Sequence, residues 1–225
     1  MKKKVLAIFL SFTIFYAFAE NLESLHNFGL GFTIPVGSLK FEEPYDSVKL
    51  VAPALQLNYL LFKDSGFSLK ASMNIGGGIT NIDDPEGRAI KGFYFGADLG
   101  LGHKIYTANK FTLAGYCTGF ADVTGNSEKD VWKPISYYHA TGTGLSKKEK
   151  QSSGIVIYGL GLDLTGLYHF TRSFSIFSSI EGRYYLGGEV TGSNYIINGD
   201  WKNRYSRDFE KGLAFAPTIG LIYSL

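Results

Sequence analysis

A single cysteine, Cys117, stands in a chain of 225 residues, so no disulfide closes within it. After residue 20 no run of 18 apolar residues occurs, which leaves no helical membrane span. The histidines, His26, His103, His139 and His169, are scattered and form no cluster with cysteine, so no transition-metal site is expected. Charge of one sign is also lacking. Lys and Arg number 22 against 20 Asp and Glu, and three of the lysines crowd into positions 2–4. Without a concentrated basic face there is no electrostatic ground for a nucleic-acid partner. The glycine-rich stretches "NIGGG" at 74–78 and "GLGLDLTG" at 159–166 lack the Gly-Lys-Ser/Thr element and the strand-to-helix setting of a phosphate loop. "DDPEG" at 83–87 reads as acidic turn chemistry, and "KKEK" at 147–150 as solvated mixed charge. No cofactor is implied.

What is present starts with MKKKVLAIFLSFTIFYAFAE, which has a charged opening, an apolar run over 5–18 and small residues at Ala17 and Ala19. This is the pattern of a secretory signal peptide over residues 1–19, leaving one domain over 20–225. The apolar run is too short for a helical anchor, and no cysteine follows it to carry a lipid. Removing it turns the formal balance from +2 to −1, so the basic character belongs to the leader.

The rest is rich in Gly (28), Phe (18) and Tyr (15) and falls into eight segments that alternate with period two. Phe28, Leu30, Phe32 and Ile34 share a face in the first, and Val51, Pro53, Leu55, Leu57, Tyr59 and Leu61 in the second. Phe67, Leu69, Ala71, Met73 and Ile75 line the third; Phe93, Phe95, Ala97, Leu99 and Leu101 the fourth. The fifth is weakest, with Phe111 and Leu113 followed by Gly115, Cys117 and Gly119, and is taken to end at Phe120. Val156 to Leu164 make the sixth, Phe174, Ile176, Ile180 and Tyr184 the seventh, and residues 213–225 the eighth, where Ile222 alone breaks the alternation. Short connections at 62–66, 107–110 and 171–173 contrast with long polar ones at 37–49, 80–90, 122–153 and 187–210. Aromatics gather beside the short turns, as suits a boundary between lipid and water.

Alternation alone fits a soluble barrel as well as a membrane one, because both have the same period. The polar rows decide the expectation. They are full of glycine and small residues, a poor coat for water, and they hold Lys70, Asp98, Asp163, Glu181 and Arg183, every charged residue of the eight spans. An outward Lys or Arg at mid-depth in lipid costs about 2–4 kcal/mol. The expected fold is therefore all-β: an eight-stranded antiparallel transmembrane barrel with greasy rows outward. The five charges are expected to pair inside as a structural network, two acids with Lys70 and Glu181 with Arg183.

The final segment, APTIGLIYSL, carries Thr218, Gly220, Tyr223 and Leu225 in the polar-x-Gly-x-x-aromatic-x-apolar spacing that closes bacterial outer-membrane barrels. With the leader and the eight segments, the chain resembles the small outer-membrane barrel families of the OmpX, opacity-protein and OmpW kind. The resemblance is architectural. It implies a diderm outer membrane, both termini in the periplasm, the barrel-assembly machinery and outer-membrane lipid as partners, and a lumen too narrow for an open pore.

Function is then expected in the loops: a non-enzymatic structural or adhesin-like role toward an extracellular ligand or host surface, with Trp132, Tyr137, Tyr138 and Trp201 as contact candidates. An alternative is passive transport of a hydrophobic solute that leaves sideways into lipid, through a break expected at the glycine-rich fifth strand. A lipid-modifying enzyme would need Ser, His and an acid converging at the outer end. His139 has Ser136 and Ser146 near it in sequence, and His169 has Ser173, but neither fits a triad; all four histidines read as surface or interfacial.

Overall fold

The computed structural model describes residues 24–41, 48–80, 90–125, 129–133, 147–196 and 202–225. Eleven strands follow one another as β1 (Ser24–Thr33), β2 (Val36–Phe41), β3 (Val48–Val51), β4 (Ala54–Lys63), β5 (Phe67–Thr80), β6 (Ile90–Ala108), β7 (Phe111–Gly125), β8 (Lys129–Lys133), β9 (Lys147–His169), β10 (Phe174–Ile196) and β11 (Lys202–Ser224). Every pairing is antiparallel, and the ring closes where β11 meets β1.

Eleven strands make eight walls. Between β1 and β2, and again between β3 and β4, a proline removes a ladder donor without shifting the register: Thr33 faces Thr218 and Val36 faces Phe215, while Thr33 faces Ala54 and Val36 faces Val51. The strand β8 continues the wall of β7 along the same neighbour, β9. The eight expected segments therefore correspond to eight staves of an antiparallel barrel.

The radial direction of the side chains separates a membrane barrel from a soluble one. Along β11, Leu213, Phe215, Ile219, Leu221 and Tyr223 are exposed, whereas Ala214, Ala216, Thr218, Ile222 and Ser224 are buried. The same alternation runs along the fifth stave: Cys117 and Gly119 point out, Tyr116, Thr118 and Phe120 in, in the register expected from the sequence. Lys70, Asp98, Asp163, Glu181 and Arg183 are all buried within. A soluble barrel would enclose the greasy rows instead. Ile222 keeps the geometry and departs only in chemistry, because it is an inward apolar residue packed in a cluster with Phe177 and Leu167.

The outward surface has the dimensions of a bilayer core. From Phe174 to Tyr184 on β10, at about 3.4 Å per residue and a tilt of about 40°, the belt is about 25 Å tall. Its lower rim carries aromatic pairs with centroids 5.2 Å apart: Phe28 with Tyr59, Tyr168 with Phe170, and Phe174 with Tyr223. This rim lies beside the short turns, here called the turn end. Gly66 adopts φ +89° in the first turn and lies so close to the His103 ring that a Cβ would stand 2.5 Å from it.

The chain terminus is held at this same end. Ser224 Oγ donates to Asn27 Oδ1 at 2.6 Å, Asn27 Nδ2 donates to the Leu60 carbonyl at 3.1 Å, and Leu225 N donates to the His26 carbonyl at 2.9 Å. A last strand with both edges paired does not fray. Of its four signature residues, Thr218 faces the lumen, Tyr223 joins the aromatic rim, Leu225 is exposed, and Gly220 lies over Gly31, whose Cα a Cβ would meet at 2.5 Å.

The opposite, loop end departs from expectation. Much of what reads in sequence as loop at 122–153 and 187–210 is strand. Three strands, β9, β10 and β11, are 23 residues long, where about 9–11 suffice to cross a membrane. The pairing of β10 with β11 runs on through Glu189 opposite Asp208 to Tyr195 opposite Lys202. Trp132 falls in β8; Tyr137, Tyr138 and Trp201 lie outside the described residues, as do residues 1–19.

Candidate functional site: an enclosed ionic layer

Inward rows of five strands converge at mid-barrel. Lys70, Ser72 and Asn74 come from β5, Tyr94 and Asp98 from β6, Thr118, Phe120 and Asp122 from β7, Asp163 and Thr165 from β9, and Glu181, Arg183 and Tyr185 from β10. Arg183 is the hub. Its Nη2 donates to Asp98 Oδ1 at 2.7 Å, its Nε to Glu181 Oε2 at 2.9 Å, and its Nη1 to Asp122 at 3.1 and 3.2 Å. The guanidinium also lies 4.7 Å from the Phe120 ring centroid. A rigid fork of five donors suits three carboxylates as an ammonium would not.

Hydroxyls and amides complete the acids. Tyr94 and Tyr185 donate to Asp122 at 2.7 and 2.9 Å, Ser72 and Asn74 to Asp98 at 2.6 and 3.1 Å, and Thr118 to Glu181. Lys70 Nζ donates to Asp163 at 2.9 Å, and Thr165 supports that acid. The five charges expected to pair do so, but in a different grouping: Asp98 joins Arg183 and leaves Lys70 with Asp163 alone. Asp122 is a sixth member that the sequence reading missed. Its signal was the stretch "ADVTG" at 121–125, where Ala121 and Val123 continue the outward row and Asp122 and Thr124 the inward one.

Apolar layers lie on both sides of the ions. Toward the loop end, Leu39, Leu50, Ile155 and Ile157 cluster with Tyr94, Phe120 and Tyr185. Toward the turn end, Leu60, Phe62, Leu167, Phe177 and Ile222 cluster with Ala114 and Tyr116. Ions so enclosed have only each other and their hydrogen bonds for solvation, which is why the pairing is dense.

Among the described residues no group of His, Cys, Asp and Glu is arranged to hold a metal ion. His169 sits at the turn end between two hydroxyls, Ser175 Oγ at 2.7 Å and Thr112 Oγ1 at 3.1 Å, so its partner is Ser175 and not Ser173. Two further histidines are bonded: His26 Nδ1 to Tyr59 OH at 2.8 Å, and His103 Nδ1 to the Lys104 carbonyl at 2.7 Å. His139 lies outside the described residues.

Among solved structures the chain is similar to a major outer membrane protein from Thermus thermophilus, with a TM-score of 0.53 and 12% identity over 87% of this chain and 99% of that one. The fold is that of a small outer-membrane β-barrel. Two further similar structures are the attachment invasion locus protein Ail of Yersinia pestis (TM-score 0.42, 12% identity, 91% of this chain and 100% of that one) and Neisserial surface protein A (0.35, 12%, 85% and 97%). No family model and no curated protein matches the chain. In this barrel the exposed belt is the surface that meets hydrocarbon, and the ionic layer lies at its depth.

Proposed function

We propose that the chain is a non-enzymatic protein of a diderm outer membrane, with the signal peptide 1–19 removed, both termini and the turn end in the periplasm, and the loop end outside. The barrel serves as a closed stem. It carries the long β9–β11 strands beyond the belt as a surface for contacts with an extracellular ligand or a host cell. The observation that carries this reading is the lumen, filled by an ionic layer between two apolar ones, combined with strands about twice the length a membrane requires. Planar-bilayer recordings should stay at background. Deleting residues 191–207, the tip of the β10–β11 hairpin, should abolish cell-surface contacts while leaving a heat-modifiable barrel; unchanged contacts would overturn the reading. Lipid A of unaltered mass after overexpression is the expected result for a non-enzyme.

One observation favours a second reading, sideways transport of a hydrophobic solute. The ladder of the glycine-rich fifth stave is continuous from Phe111 to Gly125 against β9, and against β6 it is interrupted only by one bulge between Lys104 and Tyr106, near the turn end. The break lies elsewhere. Pro217, Pro35 and Pro53 stand at one level across adjacent staves, where Ile34 N reaches the Pro217 carbonyl at 3.2 Å, Ala52 N the Pro35 carbonyl at 2.9 Å, and Gly77 N the Pro53 carbonyl at 3.1 Å. In each pair the return bond is missing, since proline has no N–H. Three weakened pairings side by side are where a lateral opening would form. Uptake of a hydrophobic dye into proteoliposomes above the empty-vesicle rate would support this reading against the first.

A further inference from the structure

On one side of the barrel the belt ends in a patch of like charge. Along β11, Leu213 stands opposite Tyr184 at the top of the belt, and the next outward residue toward the loop end is Lys211. Two residues along a strand tilted by about 40° place it about 5 Å beyond the belt, where headgroups begin. Lys211 lies directly opposite Lys40 of β2, and Lys49 of β3 lies opposite Ser38, two residues before Lys40. All three lysines are exposed on the outer face. Side chains directly opposed have Cβ atoms about 5 Å apart, and diagonal ones about 7–8 Å, so three adjacent staves gather three ammonium groups in one place.

Like charges directly opposed destabilise a sheet unless an anion lies over them. The chain supplies part of one. A bulge between Phe209 and Lys211 brings Glu210 to the same face, where its Oε2 lies 3.1 Å from Lys40 Nζ, with the two side chains 42% and 46% exposed. Three lysines and this glutamate leave two positive charges at the edge of the belt. Farther out, Asp208 faces Glu189 across β11 and β10, so the positive strip is bounded by acids above and by the belt below. Immediately below it Val36, Leu213 and Phe215 are exposed to hydrocarbon.

A ligand that matches both surfaces has acyl chains and, next to them, a compact anion of about two charges. A phosphate monoester carries about that charge at neutral pH, whereas a phosphodiester carries one. Lysine suits the position, because its stem lies along apolar surface while its ammonium reaches the headgroup level. We propose that Lys40, Lys49 and Lys211 form a binding site for a membrane glycolipid that bears a phosphate monoester beside its acyl chains, the chemistry of lipid A, with those chains along Val36, Leu213 and Phe215. That this lipid fills the leaflet at the loop end rests on the orientation proposed above. Binding in a micelle has no sidedness and is read independently of it; protease cleavage of the 191–207 segment on intact cells reads the orientation separately.

The test titrates lipid A, and separately phosphatidylglycerol, into the folded protein in neutral detergent micelles and counts bound lipid by native mass spectrometry. Lipid A is expected to saturate at one molecule per chain, with phosphatidylglycerol binding about fivefold more weakly. Each lysine removed should cost about fivefold in affinity, so K40Q/K211Q should lose about twenty-five-fold, while K40R/K211R should stay near the parent. E210Q, which removes the competing carboxylate, should bind lipid A more tightly. The triple variant K104Q/K110Q/R172Q subtracts as much charge at the turn end, more than two Debye lengths away, and should stay within about twofold of the parent. Heat-modifiability on gels checks that each variant is folded; all of these side chains lie at the surface or partly exposed. Equal losses from the two sets of substitutions, no loss from K40Q/K211Q, weaker binding by E210Q, or phosphatidylglycerol bound as tightly as lipid A would overturn the proposal.

Discussion

The two halves of the barrel wall fill the lumen unequally. On one half, β6, β7, β9 and β10 send Tyr94, Phe120, Asp122, Ile155, Ile157, Arg183 and Tyr185 across the interior. On the other, at the same depth, β11, β1, β2 and β5 present Ala214, Ala216, Gly31, Thr33, Gly37 and Gly76. A narrow barrel cannot take bulk from both sides, so one half supplies the plug and the other supplies the room. The roomy half also holds the seam between β1 and β11 and the three aligned prolines. Its closure rests on backbone pairing and a few bonds such as Ser224 to Asn27, and the large side chains it sends inward, Leu39, Leu50 and Ile222, are few and aliphatic. The filled half is where rigidity resides.

The largest effect expected from this division is at the hub. Arg183→Met leaves three buried carboxylates without their common cation, and losing one partner of a buried pair costs about 3–5 kcal/mol. Urea midpoints of folding in vesicles measure it. An effect below about 1 kcal/mol would mean that the plug is not what stiffens the filled half. Next is the outer surface of that half. Ile180, 59% exposed and midway along the belt, becomes costly as lysine; Ile180→Lys is expected to lose about 2–4 kcal/mol in vesicles. A soluble protein would tolerate it.

How much of this could be read from residues alone follows from which signals are local. Inside and outside alternate along a strand, so the rows of Leu55, Leu57 and Tyr59 or of Leu160, Leu162 and Leu164 declare themselves. Lys70 and Arg183 fall inward by default. Asp122 escaped because its stave has a faint outward row, Gly115, Cys117, Gly119 and Ala121, in which period two is hard to follow. The regrouping of Asp98 with Arg183 depends on reach across the lumen, which strand spacing does not encode. The proline level is likewise invisible until register aligns Pro35, Pro53 and Pro217, positions far apart in the chain. The β10–β11 extension beyond the belt is rich in glycine, asparagine and charged residues and so resembles loop in sequence.

The smallest effects sharpen the comparison most, because they place one chemical change in both halves. At Gly76 in the roomy half, an added Cβ would stand 2.1 Å from the Pro53 carbonyl oxygen and 2.6 Å from Ala54 Cα. Backbone cannot yield as a side-chain tip can, so Gly76→Ala is expected to cost about 1–3 kcal/mol by overpacking. At Gly119 on the outer face of the filled half, nothing lies within 4 Å of the same Cβ. There Gly119→Ala adds a methyl group toward lipid and removes some backbone freedom from the unfolded chain, so it should gain up to about 1 kcal/mol. Paired urea titrations of the two variants read the difference directly. If Gly119→Ala destabilised as much as Gly76→Ala, glycine would be required for strand flexibility throughout, and the division into a filled half and a roomy half would lose its packing basis.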